Sequence, residues 1–158
     1  MNRNKKESKR RRQVLQVWTR DQASAALPYI ASVLRSLREH KLEAQAHQLT
    51  AARLDERPGR PNRDTLIARE EALKAAHKAA ERFQEALDEL QILDVYCLDP
   101  IAGQALVPFV HDDQLAWYVY DLFDAEPLRF WRFHSDPLEM RRPLDDMQKK
   151  SEPITRLA

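Results

Sequence analysis

The fold is decided by residues 115–134, LAWYVYDLFDAEPLRFWRFH, in which aromatic side chains recur along two short apolar runs. The runs Leu115–Phe123 and Leu128–His134 flank Asp124–Pro127, a segment whose Asp and Pro residues favour a turn. Aromatic and β-branched residues in runs of this length, separated by turn residues, predict a β-hairpin. The chain before residue 92 is patterned as helix, so this hairpin and the strands before it must supply the surface on which the helices pack.

The first helix is predicted to begin after Thr19 and to end near Glu56. Thr19 and Gln22 have the spacing of a capping box, in which each side chain satisfies a backbone N–H of the other residue. Pro28 lies inside this stretch, and it either bends a continuous helix or marks the start of the main helix after a short first segment. The apolar stripe of this helix consists of Leu27, Ile30, Leu34 and Leu37, continued by Ala44 and Ala51.

The segment Arg57–Asn62, RPGRPN, is the strongest helix breaker in the sequence. A second helix is predicted from a cap at Asn62 or Asp64 to about Gln91. Two long helices joined by a short loop predict an antiparallel hairpin with coiled-coil-like packing. The apolar residues of the second helix recur every seven positions in two rows, with Leu66, Leu73, Ala80 and Leu87 in one and Ala76, Phe83 and Leu90 in the other.

Leu42 and Leu49 fall outside the apolar stripe of the first helix. Leu42 follows Leu37 by five residues, which places it about 140° further around the helix. With Ala46, the two leucines form a second apolar face on the far half of the hairpin. Such a face reflects either local twist or scattered exposed leucines, or else it provides contacts for a second copy or another protein.

From Ile92 onward the apolar period changes to two, which predicts strands joined by short turns. The expected class is α+β, with a long antiparallel two-helix hairpin followed by a four-stranded antiparallel β-meander. The predicted strands are Ile92–Leu98, Gln104–Val110, Leu115–Phe123 and Leu128–His134. The predicted organisation is a disordered basic arm (1–13), a single domain (14–144, with the hairpin at 14–91 and the meander at 92–136) and a flexible tail (145–158).

Several short stretches match the pattern of a known family. They are Thr19, Ala23, Leu27 and Pro28 in the first helix, 94–103, Pro108 and Phe109 in the early strands, then Trp131, His134 and Arg142-Pro143-Leu144. In these residues and in the order of its elements the chain resembles an uncharacterised bacterial family, a domain of unknown function that pairs a long helical hairpin with a small antiparallel sheet. The family has no established activity, so the resemblance implies the fold and leaves the function open.

The sequence offers little for catalysis or for metal binding. His40 and His47 are seven residues apart on one helix, about 10.5 Å, which is too far for one ion. Cys97, the sole cysteine, lies within an apolar strand and is expected to be a small buried hydrophobe. Two glycines cannot build a phosphate-binding loop. We therefore predict no enzyme activity, no cofactor and no metal, and we assign the carboxylates Asp121, Asp124, Glu126 and Asp136 to turns.

No apolar run approaches the roughly 18 residues of a membrane span, so we expect a soluble, cytoplasmic protein. Charge is divided unevenly, because the first 13 residues contain seven Lys or Arg and one Glu while the whole chain has a net charge of +1. A basic arm on an acidic body fits weak contact with nucleic acid or with an anionic surface, or else a disordered solubilising tail. The candidate nucleic-acid residues of the arm are Lys5, Lys6, Lys9, Arg10, Arg11 and Arg12.

Aromatic and basic residues alternate on the fourth predicted strand. An open face of this kind can stack nucleic-acid bases, but a small sheet also needs one such face to form a core. Core and interface roles are therefore expected for the aromatic residues, with nucleic-acid binding as the alternative. Strict alternation places Arg129, Trp131 and Phe133 on one face and Leu128, Phe130, Arg132 and His134 on the other.

Together these patterns favour a non-catalytic interaction or scaffold module that associates with itself or with another protein. The alternative is a nucleic-acid-associated protein that uses the basic arm and an aromatic face of the sheet. No membrane or small-molecule partner is implied. The candidate contact residues are Leu42, Leu49, Tyr118, Tyr120, Trp131 and Arg129.

Overall fold

The computed structural model describes residues 15–145 and has the expected α+β class. Two helices form an antiparallel hairpin, and an antiparallel sheet with the strand order β1-β2-β3-β4-β5 follows them. Neither helix in the described part of the chain is long and apolar enough to cross a membrane. The elements are α1 (Arg20–Asp55), α2 (Arg63–Ile92), β1 (Tyr96–Asp99), β2 (Gln104–His111), β3 (Gln114–Asp121), β4 (Leu128–Phe133) and β5 (Arg142–Pro143).

The predicted caps are present at the start of both helices. The Thr19 hydroxyl accepts from the backbone N–H of Gln22 at 3.2 Å, and the Gln22 side chain accepts from the N–H of Thr19 at 3.0 Å. At α2, Asn62 rather than Asp64 is the cap, since its side-chain oxygen accepts from the N–H of Thr65 at 2.8 Å. Of the two alternatives at Pro28, the continuous helix is the one found, because α1 runs through it for 36 residues.

The first strand is shorter than predicted because α2 continues to Ile92. Asp94 has a left-handed backbone with φ of 55°, which ends the helix. The N–H of Val95 returns to the carbonyl of Leu90 at 3.0 Å and completes this C-terminal turn. The predicted strand Ile92–Leu98 is therefore wrong in its first residues, and pairing with β2 begins at Tyr96.

Small residues form the contact between the two helices in the far half of the hairpin. Leu66 and Leu73, which the heptad pattern predicted to be in the contact, are instead 52% and 41% exposed. That part of the prediction is wrong because a contact built from alanines lets the helices approach closely and turns the longer side chains outward. The buried alanines of this half are Ala44 and Ala51 on α1 and Ala72, Ala76 and Ala79 on α2.

The sheet contains the four predicted strands and a short fifth one. In β5, Arg142 and Pro143 pair with Trp131 and Phe130 of β4, so the meander extends beyond its predicted end at residue 136. Leu144, next to β5, is 2% exposed and belongs to the hydrophobic core. The segment after the predicted meander thus returns to the sheet.

A bulge at Arg129 changes which residues of β4 share a face. Val119 pairs with Phe130, but the next residue of β3, Tyr120, pairs with Leu128. Leu128 therefore lies on the same side as Trp131, and both pack in the core. The strict alternation that placed Leu128 with Phe130 is wrong because the bulge adds one residue to β4.

The sheet covers only the half of the helical hairpin that lies farther from the loop joining the two helices. At one end of the sheet, the N–H of Trp18 donates to the carbonyl of Pro108 at 2.8 Å. At the other end, Arg38 Nε donates to the carbonyl of Ile101 at 3.0 Å. Beyond Arg38, α1 continues for roughly 25 Å at 1.5 Å per residue. We call this uncovered half of the hairpin, residues 39–80, the overhang.

Neighbouring alanines on α2 test the packing of the overhang. Ala79 is 1% exposed in the helix contact, whereas Ala80 is exposed. Ala79→Leu should overpack the contact and lower the free energy of unfolding by about 1–3 kcal/mol. Ala80→Leu, the matched control, should change it by less than about 0.5 kcal/mol. Chemical denaturation measures both, and equal effects of the two substitutions would contradict this assignment of the helix contact.

Candidate interaction surface

Five exposed large aliphatic side chains lie on the overhang. On α1, Leu42 and Leu49 are 38% and 51% exposed, in agreement with the predicted outward face. On α2, Leu66, Ile67 and Leu73 are also exposed. Sequence analysis placed two of these α2 residues in the helix contact and did not consider Ile67. The row Ala72, Ala79 and Ala86 was the available signal, because it offers α1 a partner row as small as Ala44 and Ala51.

The α1 leucines continue the surface on which the sheet packs. Leu49 follows Ala31 by 18 residues, which is five full helical turns, so the two side chains point to the same side of α1. Ala31 is buried in the core that the sheet shares, whereas Leu49 lies beyond the end of the sheet. The apolar character of this side of α1 therefore persists where the sheet no longer covers it.

The end of the sheet adjoins the first of these leucines. The Arg38 guanidinium lies 5.2 Å from the centre of the Phe123 ring, and Leu42 follows Arg38 by one helical turn. Phe123 is itself 63% exposed. The exposed Phe123 of the β3–β4 turn thus lies close to the start of the overhang.

The three aromatic residues proposed as sheet contacts are not available at the surface. Tyr118, Tyr120 and Trp131 are 4%, 2% and 6% exposed, because the helices cover their face of the sheet. Phe109 stacks on Tyr118 with ring centres 3.9 Å apart. Burial raises the pKa of both tyrosines above the ordinary value of 10.0. The prediction that these side chains form an interaction surface is therefore wrong, and they belong to the core.

On the opposite face of the sheet, the basic side chains are held by neighbours. Arg129 lies 4.8 Å from the centre of the Phe130 ring and 3.3 Å from the carboxylate of Asp124. Arg132 is buried and donates to the backbone carbonyl of Asp136 at 2.8 Å. Arg129 is thus exposed as predicted for a contact residue, but its guanidinium already has an anionic partner.

A carboxylate–guanidinium pair fixes the segment between β4 and β5. Arg142 donates to both oxygens of Asp136, with Nε at 2.8 Å and Nη2 at 3.0 Å. Asp136 also accepts from the backbone N–H of Phe133 at 2.9 Å. The hydrogen bond from Arg142, followed by that from Phe133, lowers the pKa of Asp136 from its ordinary 3.8 to about 2.

The Asp136–Arg142 pair predicts a specific acid sensitivity. Because folding lowers the pKa of Asp136, its contribution to stability is complete above pH 3.8 and is lost as the pH falls through about 2. Asp136→Asn should remove this contribution, so its free energy of unfolding should depend less steeply on pH between 4 and 2 than that of the wild type. Asp113→Asn, in the exposed β2–β3 turn, is the control. Parallel slopes for the wild type and Asp136→Asn would contradict the prediction.

The remaining reactive groups are dispersed. Burial, with a smaller effect of Asp99, raises the pKa of the Cys97 thiol to about 11, so it is protonated at neutral pH. His77 pairs with Glu81 of its own helix at 3.0 Å and does not join the histidines of α1. Within residues 15–145, no group of three or more His, Cys, Asp or Glu side chains could hold a metal ion.

A concavity of about 330 Å³ lies at the tip of the hairpin, lined by the connecting loop and the ends of both helices. Two of its lining residues form an ion pair, since Arg69 Nε lies 2.6 Å from the carboxylate of Asp55. The arm residues Lys5, Lys6, Lys9, Arg10, Arg11 and Arg12 lie outside the described residues. The geometry thus places five exposed large aliphatic side chains on the overhang, and among the described residues it brings no reactive groups into a common site.

Comparison of the chain with models of protein families, with curated proteins and with solved structures finds no match. The resemblance to a bacterial domain of unknown function stays a prediction. The argument for a functional surface therefore rests on the side chains of the overhang and on their surroundings.

Proposed function

We propose that this protein is a non-catalytic interaction module that associates with a second copy of itself through the overhang. The supporting observation is the exposure of Leu42 and Leu49 on a half-helix that the sheet leaves uncovered. Large apolar side chains that continue a packing surface into solvent are typical of protein–protein contacts. An identical second copy brings the same leucines, so one surface serves both partners in an isologous pair.

The size of the surface sets the strength of the association. Burying the exposed part of each leucine contributes roughly 1 kcal/mol, so the four leucines of a pair contribute about 4 kcal/mol. The loss of translational and rotational freedom costs at least a similar amount. The contact therefore needs the remaining exposed side chains of α1. We expect a weak dimer whose fraction rises with protein concentration.

Leucine-to-glutamate substitutions on the two helices of the overhang test this proposal. Leu42→Glu with Leu49→Glu should raise the dimer dissociation constant by at least about tenfold, because charge replaces the apolar contact. Leu66→Glu with Leu73→Glu is the matched control, with the same chemistry and the same seven-residue spacing on α2. Sedimentation equilibrium of the full chain over a concentration series measures all three proteins.

Three outcomes of that series are decisive. A wild-type protein that remains monomeric at every concentration would refute self-association. Equal weakening by the two double substitutions would show that the contact includes α2 as well as α1. Weakening by the α1 pair alone supports the proposal, provided that circular dichroism shows an unchanged helix content.

Nucleic-acid binding is the second candidate, and the charge asymmetry of the sequence favours it. Seven Lys or Arg in the first 13 residues could neutralise phosphates without any sequence readout. A stacking role for Tyr118, Tyr120 and Trp131 loses its support, because these three side chains are buried. What is left is an electrostatic contact made by the arm.

Salt dependence tests the arm. If it binds nucleic acid, the affinity of the full chain for a mixed single-stranded RNA should fall steeply between low and moderate salt. Deletion of residues 1–13 should remove this binding and leave the free energy of unfolding unchanged. Retention of equal affinity by the deleted chain, or no binding by the full chain at low salt, would exclude this second function.

A further inference from the structure

The side of α1 that carries Leu42 and Leu49 has a charge pattern that complements itself when two such helices lie antiparallel. Arg35, Leu42, Leu49 and Glu56 follow one another at intervals of seven residues and are all exposed. In the reverse direction the row is Glu56, Leu49, Leu42 and Arg35, so the two charges exchange places and each leucine is replaced by a leucine. An antiparallel pair of such helices sets Arg35 of one copy near Glu56 of the other, and Leu42 near Leu49.

A neighbouring row on the same side repeats the pattern about a centre half a residue further along α1. Glu39, Ala46 and Arg53 are also seven residues apart and exposed. Antiparallel pairing about Ala46 sets Glu39 of each copy near Arg53 of the other. Ala46 then lies at the centre of the contact, where a small side chain lets two helices approach closely.

These four charges have no ion-pair partner within residues 15–145. The charges are those of Arg35, Glu39, Arg53 and Glu56. By contrast, Asp55, the residue before Glu56, pairs with Arg69 at 2.6 Å. Parallel pairing would bring each charge against its own copy and would be repulsive. Exposed pairs change a dissociation constant by only up to about fivefold each, so the four charges set the orientation more than the affinity.

The sheet sets a limit to this arrangement. It ends beside Arg38, about 12 Å along α1 from Ala46, and α1 of the second copy reaches about 14 Å beyond Ala46 to its end at Asp55. In an antiparallel pair the two sheets would therefore lie at opposite ends, and the end of each α1 would meet the edge of the other copy's sheet.

We infer that two copies of this chain pair antiparallel, α1 against α1, about a two-fold axis near Ala46. The inference rests on the proposed self-association and adds to it the orientation and the register. The occupant of the exposed α1 surface is a second copy, because an antiparallel copy brings a charge of opposite sign against each charge of the rows. A partner that is only acidic or only basic would match half of these charges.

Cysteine cross-linking tests the axis. In the antiparallel pair only residues at the axis face their own copy, so Ala46→Cys should form a disulfide-linked dimer under mild oxidation. Arg53→Cys should not, because its two copies would lie about 20 Å apart along the helices. A parallel pair would cross-link at both positions. The native thiol of Cys97 interferes little, since burial keeps it protonated.

Charge exchange tests the register. Glu39→Arg or Arg53→Glu alone should raise the dissociation constant about three- to tenfold, since each creates two like-charge contacts in the dimer. The double exchange, Glu39→Arg with Arg53→Glu, should return it to within about twofold of the wild type. A double variant as weak as the singles would overturn the register.

The two levels of the proposal fail in different ways. A monomeric wild type would refute self-association itself, and with it this inference. A wild-type dimer that does not cross-link through Ala46→Cys and is not rescued by the double exchange would refute the antiparallel pairing alone. Capture of a different protein by the leucines, with the wild type monomeric, would assign the surface to another partner and would also overturn the inference.

Discussion

A mismatch in length between helix and sheet governs this structure. The 36 residues of α1 extend about 54 Å, whereas the longest strands have eight residues and span about 27 Å. One layer of strands can therefore cover only half of the hairpin. The covered half acquires a conventional core around residues such as Ile30, Leu34 and Tyr120. The other half must be held together by the two helices alone.

Two helices without a third layer have few ways to bury apolar surface. In the overhang the solution is a contact of alanines, with Ala44 and Ala51 facing the alanine row of α2. Small side chains at such a contact let the helix axes approach. This contact also decides where the leucines go, since a helix contact occupied by alanine has no room for them. The exposure of Leu42 and Leu49 is thus a consequence of how the hairpin closes.

Much of this fold could be predicted from local sequence. The Thr19–Gln22 capping box, the breaker at Arg57–Asn62 and the aromatic hairpin after residue 115 each act within a stretch of at most about 20 residues. Three features could not be predicted in this way. The helix end at Asp94 depends on a left-handed backbone at a non-glycine residue, and the bulge at Arg129 depends on the register with β3. The choice between the leucine and alanine rows of α2 depends on the size of the side chains on α1.

The difference between local and long-range determinants also explains which of the candidate contact residues are exposed in the structure. Leu42 and Leu49 were identified by their angle to Leu37, which is fixed by helix geometry and does not change when the chain folds. Tyr118, Tyr120 and Trp131 were identified by residue type, and residue type does not say which face of a sheet the helices cover. A sheet with so few strands needs its largest side chains for the core, so aromatic residues there are poor indicators of a binding face. In this chain the informative surface is aliphatic, and it lies where the sheet ends and the helices continue.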